Sequence, residues 1–294
     1  MRHCSVKKSD NQFVAIIFMF FMACLYMPAS PAIADTAKKL ILAVHPYLPE
    51  NEIIDRFTPL ANYLGKEVGK SIQVRVGLDY QDHNEHIGRD LVDIAFMGPA
   101  SYVKMIGQYG GKPILARLEI NGAPVFHGNI VIREDSAIQT LDELSGKSFA
   151  FGDPNSTMSY LVPLYMLNKS GISLQQLKLH QFLGSHNNVA LGVLAGDYDA
   201  GAVKNEVFLK YKTKGLKSLK STPELSEHLF ITKSNMPPGL VTALQQAMYK
   251  LTSLPQGKEI LGAIKKHTTG LVPANNSDYD NLREILTQSQ PKHP

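Results

Sequence analysis

Short apolar runs alternate along the chain with longer segments whose apolar residues recur at helical spacing. Residues 39–44 read KLILAV, which predicts a buried strand, and residues 50–68 place Ile53, Phe57 and Leu60 on one helical face. Further strands are predicted at 72–76, 92–96, 114–119, 129–133, 148–151, 180–183, 200–203 and 228–232. Further helices are predicted at 81–91, 101–106, 158–167, 188–195, 206–211, 238–250, 256–265 and 278–288, with a helical turn at 141–144. This alternation is typical of α/β proteins with parallel sheets and helices on both faces.

One internal similarity suggests that the chain contains two related lobes. Residues 90–95 read DLVDIA and residues 196–202 read GDYDAGA, and each stretch has a helix end, an acidic turn and a short apolar strand. Ligands of open α/β sheets bind at the carboxyl ends of the strands. We therefore expect residues 98–102 and 204–206 on the walls of a ligand-binding cleft.

Residues 1–34 differ from the rest and predict a secretory signal peptide. A basic start containing Arg2 precedes an almost wholly apolar run at 13–27, and Ala32-Ile33-Ala34 offers a small-residue cleavage site. The apolar run is short for a bilayer span, which takes about 20 residues. Lipoprotein anchoring through Cys24 is not expected, because Phe21 stands three residues before it. No later segment is long and apolar enough to cross a membrane.

Composition restricts the chemistry that the exported chain can perform. Both cysteines, Cys4 and Cys24, lie in the predicted signal peptide, so cleavage would leave no disulfide, thiolate metal ligand or cysteine nucleophile. Without residues 1–34 the net charge is +2. That charge, with no dense basic patch beyond residues 210–220, argues against nucleic-acid binding. We interpret residues 210–220 as a solvated helix end and loop.

Two predicted helix starts are candidates for anion binding. Residues 149–152 end a strand, and Ser156, Thr157 and Ser159 follow where the next helix begins. A helix start offers unpaired N–H groups and a positive dipole end, which suit a tetrahedral oxyanion. At the second helix start, Ser185 can act as the cap and His186 lies in the first turn; a functional His186 there would be a neutral N–H donor or accompany a bound anion. The alternatives are ordinary capping and a surface histidine.

Other motifs give weaker hypotheses. His83 and His86 have a spacing that suits a metal, but no close third ligand is evident, and a polar helix face explains them as well. Residues 101–104 match S-x-x-K without the K-T-G element that a β-lactamase requires. Residues 146–148 resemble the end of a P-loop, but Leu141 stands where its first glycine is needed. We therefore predict neither an enzyme nor a cofactor.

Four stretches resemble the phosphonate-binding periplasmic proteins of ABC importers, a group that also covers phosphite and phosphate ligands. They are VHPY at 44–47, DIAFMGPASY at 93–102, LDELSGKSFAFGDPNSTMS at 141–159 and GSH at 184–186. The resemblance implies a type II periplasmic-binding fold with two α/β lobes and a hinged ligand cleft. Lobe 1 would comprise residues 35–126 plus 226–290, and lobe 2 residues 127–225.

The resemblance also assigns ligand-binding roles. Ser156 and Thr157 should hold the phosphonate oxygens, His186 should add a donor from the same lobe, and Tyr47 and Tyr102 should close from the other lobe. A tyrosine combines a hydroxyl with a rigid apolar ring, which suits that task.

The chain departs from the family pattern at two places. Met158 stands where the family usually has a further serine, and Ser159 is the next hydroxyl. His228 aligns with the acidic residue that binds a substrate amine, and Glu227 or Glu206 could substitute for it. The ligand of this protein is therefore expected to lack an amine.

We expect a monomeric periplasmic protein that captures a small oxyanion and docks on an ABC permease. A protein of the same fold could instead report its ligand to a membrane sensor kinase. An enzyme on this scaffold, or a metal-binding protein that uses His83, His86 and another histidine, are the remaining alternatives.

Overall fold

The computed structural model describes Met1, His3 and residues 39–289. The predicted signal peptide therefore lies outside the described residues, apart from Met1 and His3. Residues 39–289 form one compact unit that contains two mixed β-sheets.

The first sheet has the strand order β13-β4-β12-β3-β1-β2. Its strands are β1 (Leu40–Val44), β2 (Ile72–Val76), β3 (Ile94–Met97), β4 (Ile114–Ile120), β12 (Leu229–Thr232) and β13 (Thr268–Val272). β1 pairs in parallel with β2 and β3, whereas β12 runs antiparallel to β3 and β4, and β13 runs antiparallel to β4.

The second sheet has the order β10-β6-β9-β7-β8. Its strands are β6 (Gly128–Arg133), β7 (Ser148–Phe151), β8 (Leu179–Phe182), β9 (Ala200–Lys204) and β10 (Leu216–Ser221). The chain passes between the sheets through β5 (Val125–Phe126) and returns through β11 (Leu225–Ser226), and these two strands pair with each other. The expected α/β class is confirmed. The expectation of parallel sheets is wrong for the strands next to these crossings, because an antiparallel neighbour needs no helical crossover.

The helices carry apolar stripes that pack on the sheets. They are α1 (Glu50–Val68), α2 (Tyr80–Gly88), α3 (Pro99–Tyr109), α4 (Val162–Lys169), α5 (His186–Ala195), α6 (Asn205–Lys212), α7 (Pro238–Tyr249), α8 (Gly257–Ile264) and α9 (Asp280–Ser289). Ile53, Phe57, Leu60 and Leu64 of α1 are fully buried, as their spacing predicts. None of the helices within residues 39–289 has the length and apolar character needed to span a bilayer.

The structure differs from the predicted elements at three places. Residues 216–221 form the edge strand β10 where a loop was expected, and Lys217 and Lys220 are exposed on it. The strand was not predicted because these charged residues interrupt its apolar pattern. Lysines on an exposed edge strand hinder pairing with other chains. β13 was not predicted, since its run is short. The predicted helix at 158–167 begins as a π-helical turn, Thr157–Leu161, before α4.

Candidate functional site

The turn after β7 holds the hydroxyl groups of the predicted oxyanion site. Ser156 caps this turn, and its Oγ accepts a hydrogen bond from the Ser159 backbone N–H at 3.1 Å. The hydroxyl of Ser159 is fully buried and donates to the Ala202 carbonyl of β9 at 2.6 Å. Ser159 therefore anchors the turn on the neighbouring strand in this structure, and its expected ligand-binding role stays a prediction.

Gly152 is needed for this arrangement because β7 and the turn approach closely. A Cβ at Gly152 would lie 2.4 Å from the Oγ of Ser159. We expect Gly152→Ala to lower the free energy of unfolding by about 1–3 kcal/mol, the usual cost of overpacking. Urea denaturation measures this change. Gly239→Ala on α7 is the matched control, because nothing lies within 4 Å of a Cβ there, and equal stabilities of the two variants would contradict the prediction.

His186 presents a neutral N–H group to the same turn. Its Nδ1 accepts the backbone N–H of Lys204 at 3.1 Å, so the proton is on Nε2, which lies 3.5 Å from the Ser156 Oγ. Burial and, after it, the charge of Lys204 lower the pKa of His186 to about 3. Ser185 caps α5 as expected, accepting the Asn188 N–H at 3.2 Å. The imidazole at this helix start is thus neutral, and its expected ligand-binding role stays a prediction.

Thr157, which lies in the turn after β7 of the second sheet, contacts the first residues of α3, which follows β3 of the first sheet. The Ala100 backbone N–H donates to Thr157 Oγ1 at 3.3 Å. The N-cap residue of α3, Gly98, has no side chain with which to cap the helix start. The start of α3 and the Ser156-Thr157 turn are consequently in direct contact.

The two predicted tyrosines have different surroundings. Tyr47 follows β1, is half-buried, and its ring centroid lies 4.9 Å from that of His45. Burial raises the pKa of Tyr47 to about 12, Arg56 lowers it, and Glu206 of α6 is among the charges that raise it. Its hydroxyl therefore stays protonated.

Tyr102 is 1% exposed, its hydroxyl donates to Asn276 Oδ1 at 2.9 Å, and its ring lies 4.9 Å from that of Tyr279. These contacts pack Tyr102 against residues 276–279 in this structure, and its expected ligand contact stays a prediction. Sequence reasoning placed the residue in the right helix, but the direction of its side chain depends on the position of residues 276–279.

A charged cluster next to the first sheet consists of Glu227, His228 and Lys265. The buried Glu227 carboxylate accepts the Nδ1–H of His228 at 2.8 Å and the Lys265 ammonium at 2.8 Å. Burial by itself would raise the pKa of Glu227, but His228 and Lys265 hold it well below the ordinary value. Lys265 was not predicted, because it follows α8 in sequence and no local motif marks it.

The remaining candidates are spread around this site. Glu206 lies in the first turn of α6 and pairs with Lys204 at 3.1 Å. The Nε2 of His83 bonds the Phe96 carbonyl at 3.1 Å, whereas His86 pairs with Asp82. Within residues 39–289 there is no group of three or more His, Cys, Asp or Glu residues placed to hold a metal ion. His83 and His86 therefore do not form the shared metal site that their spacing suggested.

The chain is similar to several known proteins. The chain is 24% identical to a phosphate-import protein of Mycolicibacterium smegmatis over 88% of each chain. It is 28% identical to the phosphonates-binding periplasmic protein of Escherichia coli, over 77% of this chain and 66% of that one.

The fold matches that of the PhnD1 protein of Prochlorococcus marinus, solved in complex with methylphosphonate, with a TM-score of 0.74. That match has 22% identity and covers 85% of this chain and 97% of the other. The expected type II periplasmic-binding fold is therefore confirmed. The profile of the family described as "ABC transporter, phosphonate, periplasmic substrate-binding protein" matches residues 42–279. Because that match covers most of the sequence, the chain belongs to the family of periplasmic phosphonate-binding proteins of ABC transporters.

Proposed function

We propose that this protein is exported by a signal peptide at residues 1–34 and binds a phosphonate or a closely related phosphorus oxyanion in the periplasm. Two lobes, residues 35–126 plus 226–290 and residues 127–225, close over the ligand. The closed protein then delivers the ligand to the permease of an ABC importer.

One observation carries this proposal: hydroxyl and N–H donors converge at the Ser156-Thr157 turn. The Ser156 and Thr157 hydroxyls lie there together with the neutral Nε2–H of His186, and the Ala100 N–H approaches from α3. A tetrahedral oxyanion is bound well by several short donors, which need no net positive charge when they are oriented in advance. The relatives include a phosphate-import protein and a phosphonates-binding protein, and the matched structure holds methylphosphonate.

The connection between the sheets supports a hinged closure. The chain crosses from the first sheet to the second through β5 and returns to β12 through β11, and these two short strands pair with each other. Rotation about this ribbon would move the two sheets relative to each other, and Tyr47 of the first lobe would then close over the ligand. Closure excludes water and strengthens each hydrogen bond to the anion.

The site is suited to binding without chemical conversion. Ser156 and His186 look like a nucleophile and its base, but the proton on Nε2 of His186 faces the serine, and Nδ1 is used by the Lys204 N–H. His186 therefore cannot accept the serine proton in this arrangement, as nucleophilic catalysis would require. The protein acts as a monomer without a cofactor, and its small charge fits a protein that does not bind nucleic acid.

Thermal unfolding with a panel of anions tests the proposal. Methylphosphonate, phosphite or phosphate at about 100 times its dissociation constant is expected to stabilise the protein by about 2.7 kcal/mol, while sulfate at the same concentration has a smaller effect. Zinc chloride is the control for metal binding. A response to zinc or sulfate with none to any phosphorus oxyanion would contradict the proposal.

A further inference from the structure

The Glu227 carboxylate fixes the orientation of the His228 ring. Its Oε2 accepts the Nδ1–H of His228 at 2.8 Å and the backbone N–H of the same residue at 2.9 Å. Its Oε1 accepts the Lys265 ammonium at 2.8 Å, so the charge of this buried carboxylate is already balanced. The His228 ring therefore needs no second proton to pair with Glu227. In the neutral ring Nδ1 is the donor, and Nε2 carries the free lone pair.

The Nε2 of His228 is available as a hydrogen-bond acceptor. The side chain is 24% exposed, and Nε2 is open to solvent with no hydrogen-bond partner within the described residues. By contrast, the Glu227 side chain is 1% exposed and its two oxygens are occupied. A ligand that reaches this wall consequently meets the imidazole nitrogen and not the carboxylate.

A first line of contacts connects His228 with the oxyanion turn, Ser156-Thr157. A Cβ built on Gly98 would lie 3.7 Å from the Nε2 of His228, and α3 begins directly after Gly98. Two residues further along, the Ala100 N–H donates to the Thr157 hydroxyl at 3.3 Å. The start of α3 thus touches His228 on one side and the turn on the other.

A second line of contacts reaches the same turn through β5. The ring centroids of Phe126 and His228 are 5.5 Å apart, and Phe126 packs on the core of the second sheet. A Cβ built on Gly128, two residues after Phe126, would lie 3.0 Å from the Cβ of Met158, which directly follows Thr157. Because both lines end on adjacent residues of the turn, the His228 ring forms part of the wall beside it.

The rest of this wall is aromatic. The His228 ring lies nearly parallel to that of His45, with centroids 5.7 Å apart. The His45 ring is in turn 4.9 Å from Tyr47 and 5.3 Å from Tyr80. Burial holds the pKa of His45 well below its ordinary value, so this ring is uncharged at pH 7. Aromatic faces suit a short carbon chain, and the His228 nitrogen offers an acceptor for a polar group at its end.

We infer that the Nε2 of His228 accepts a hydrogen bond from a hydroxyl group on the carbon substituent of the ligand, so that the protein prefers hydroxyalkylphosphonates. This inference rests on the proposed function, since it assumes that the phosphorus oxyanion occupies the oxyanion turn. A hydroxyl group has one proton to donate, which matches one acceptor, whereas an alkyl end leaves the acceptor without a partner. An ammonium group carries three donors and a charge that the paired Glu227 does not compensate.

Isothermal titration calorimetry of the purified protein with three probes tests the inference. We expect 2-hydroxyethylphosphonate to bind about three- to tenfold more tightly than propylphosphonate, which has the same number of heavy atoms, because one neutral hydrogen bond is gained. We expect 2-aminoethylphosphonate to bind at least about tenfold more weakly than 2-hydroxyethylphosphonate, because its charge is desolvated without a free counter-charge. His228→Phe keeps an aromatic ring without the acceptor, so it should bind the hydroxyethyl and propyl compounds equally and leave propylphosphonate affinity within about twofold.

His180→Phe, on the exposed strand β8, is the matched control and should keep the preference for the hydroxyl compound. Propylphosphonate or 2-aminoethylphosphonate binding as tightly as 2-hydroxyethylphosphonate to the unchanged protein would overturn the inference, even if His228→Phe failed to fold. A preference for the hydroxyl compound that survives in His228→Phe would also overturn it, as would an equal loss of both ligands. Absence of binding by all three probes would instead refute the proposed function, and with it this subsite.

Discussion

Replacing Ser156 by Ala and Thr157 by Val in the same chain is expected to weaken methylphosphonate binding by about 10²- to 10⁴-fold. Each hydroxyl would bond a charged oxygen, and such a hydrogen bond contributes roughly 1.5–3 kcal/mol. Valine keeps the branched shape of threonine, which matters because Thr157 is buried against α3. Calorimetric titration of the double variant beside the unchanged protein measures the effect.

Two controls separate ligand contact from local stability. Ser156 also caps the π-helical turn, so its loss lowers stability by about 1 kcal/mol in addition. Ser173 and Gln176 form a capping box at a short 3₁₀ turn in the same lobe. Ser173→Ala removes this capping serine and should leave the affinity for methylphosphonate unchanged. Thr157→Ser, which keeps the hydroxyl, should bind nearly as the unchanged protein does. Unaltered affinity in the double variant would remove the assignment of the oxyanion site.

Acidification from pH 7 to pH 5 is expected to lower the free energy of unfolding by several kcal/mol. Burial lowers the pKa of His83 to about 4 and that of His186 to about 3, and burial also holds the pKa of His45 well below its ordinary value. The unfolded chain protonates these residues near pH 6.5 and so binds more protons than the folded protein in this interval. Stability therefore decreases as the pH falls, by roughly 2 kcal/mol for each histidine at pH 5.

Chemical denaturation at pH 7, 6 and 5 measures this dependence above the range in which carboxylates titrate. His83→Gln should reduce the slope, because the amide can donate to the Phe96 carbonyl as Nε2 of His83 does, without taking up a proton. His180→Gln, on the exposed strand β8, should leave the slope unchanged. An identical slope in His83→Gln and the unchanged protein would show that His83 does not contribute.

Much of the architecture followed from local patterns. The apolar stripe of Ile53, Phe57, Leu60 and Leu64 predicted α1 with its observed bounds. A helix with apolar residues on one face and polar residues on the other is stable when the apolar face packs on the sheet. Turn chemistry likewise offered Asn155 or Ser156 as the cap of one helix start and Ser185 as the cap of the other, and Ser156 and Ser185 are the caps observed, because their side chains satisfy backbone N–H groups only a few residues away. The edge strand β10 was missed because its exposed lysines mask the apolar alternation.

By itself, the sequence determined the α/β class, the helix starts and the hydroxyl groups of the oxyanion turn, because these depend on contacts between near neighbours. Only the tertiary structure decided which side chains remain available to a ligand. The Ser159 hydroxyl is used by Ala202, and the Tyr102 hydroxyl by Asn276. The Glu227 carboxylate is used by Lys265, 38 residues away. Such partners are separated along the chain and are brought together by sheet order and helix packing, which no local pattern encodes.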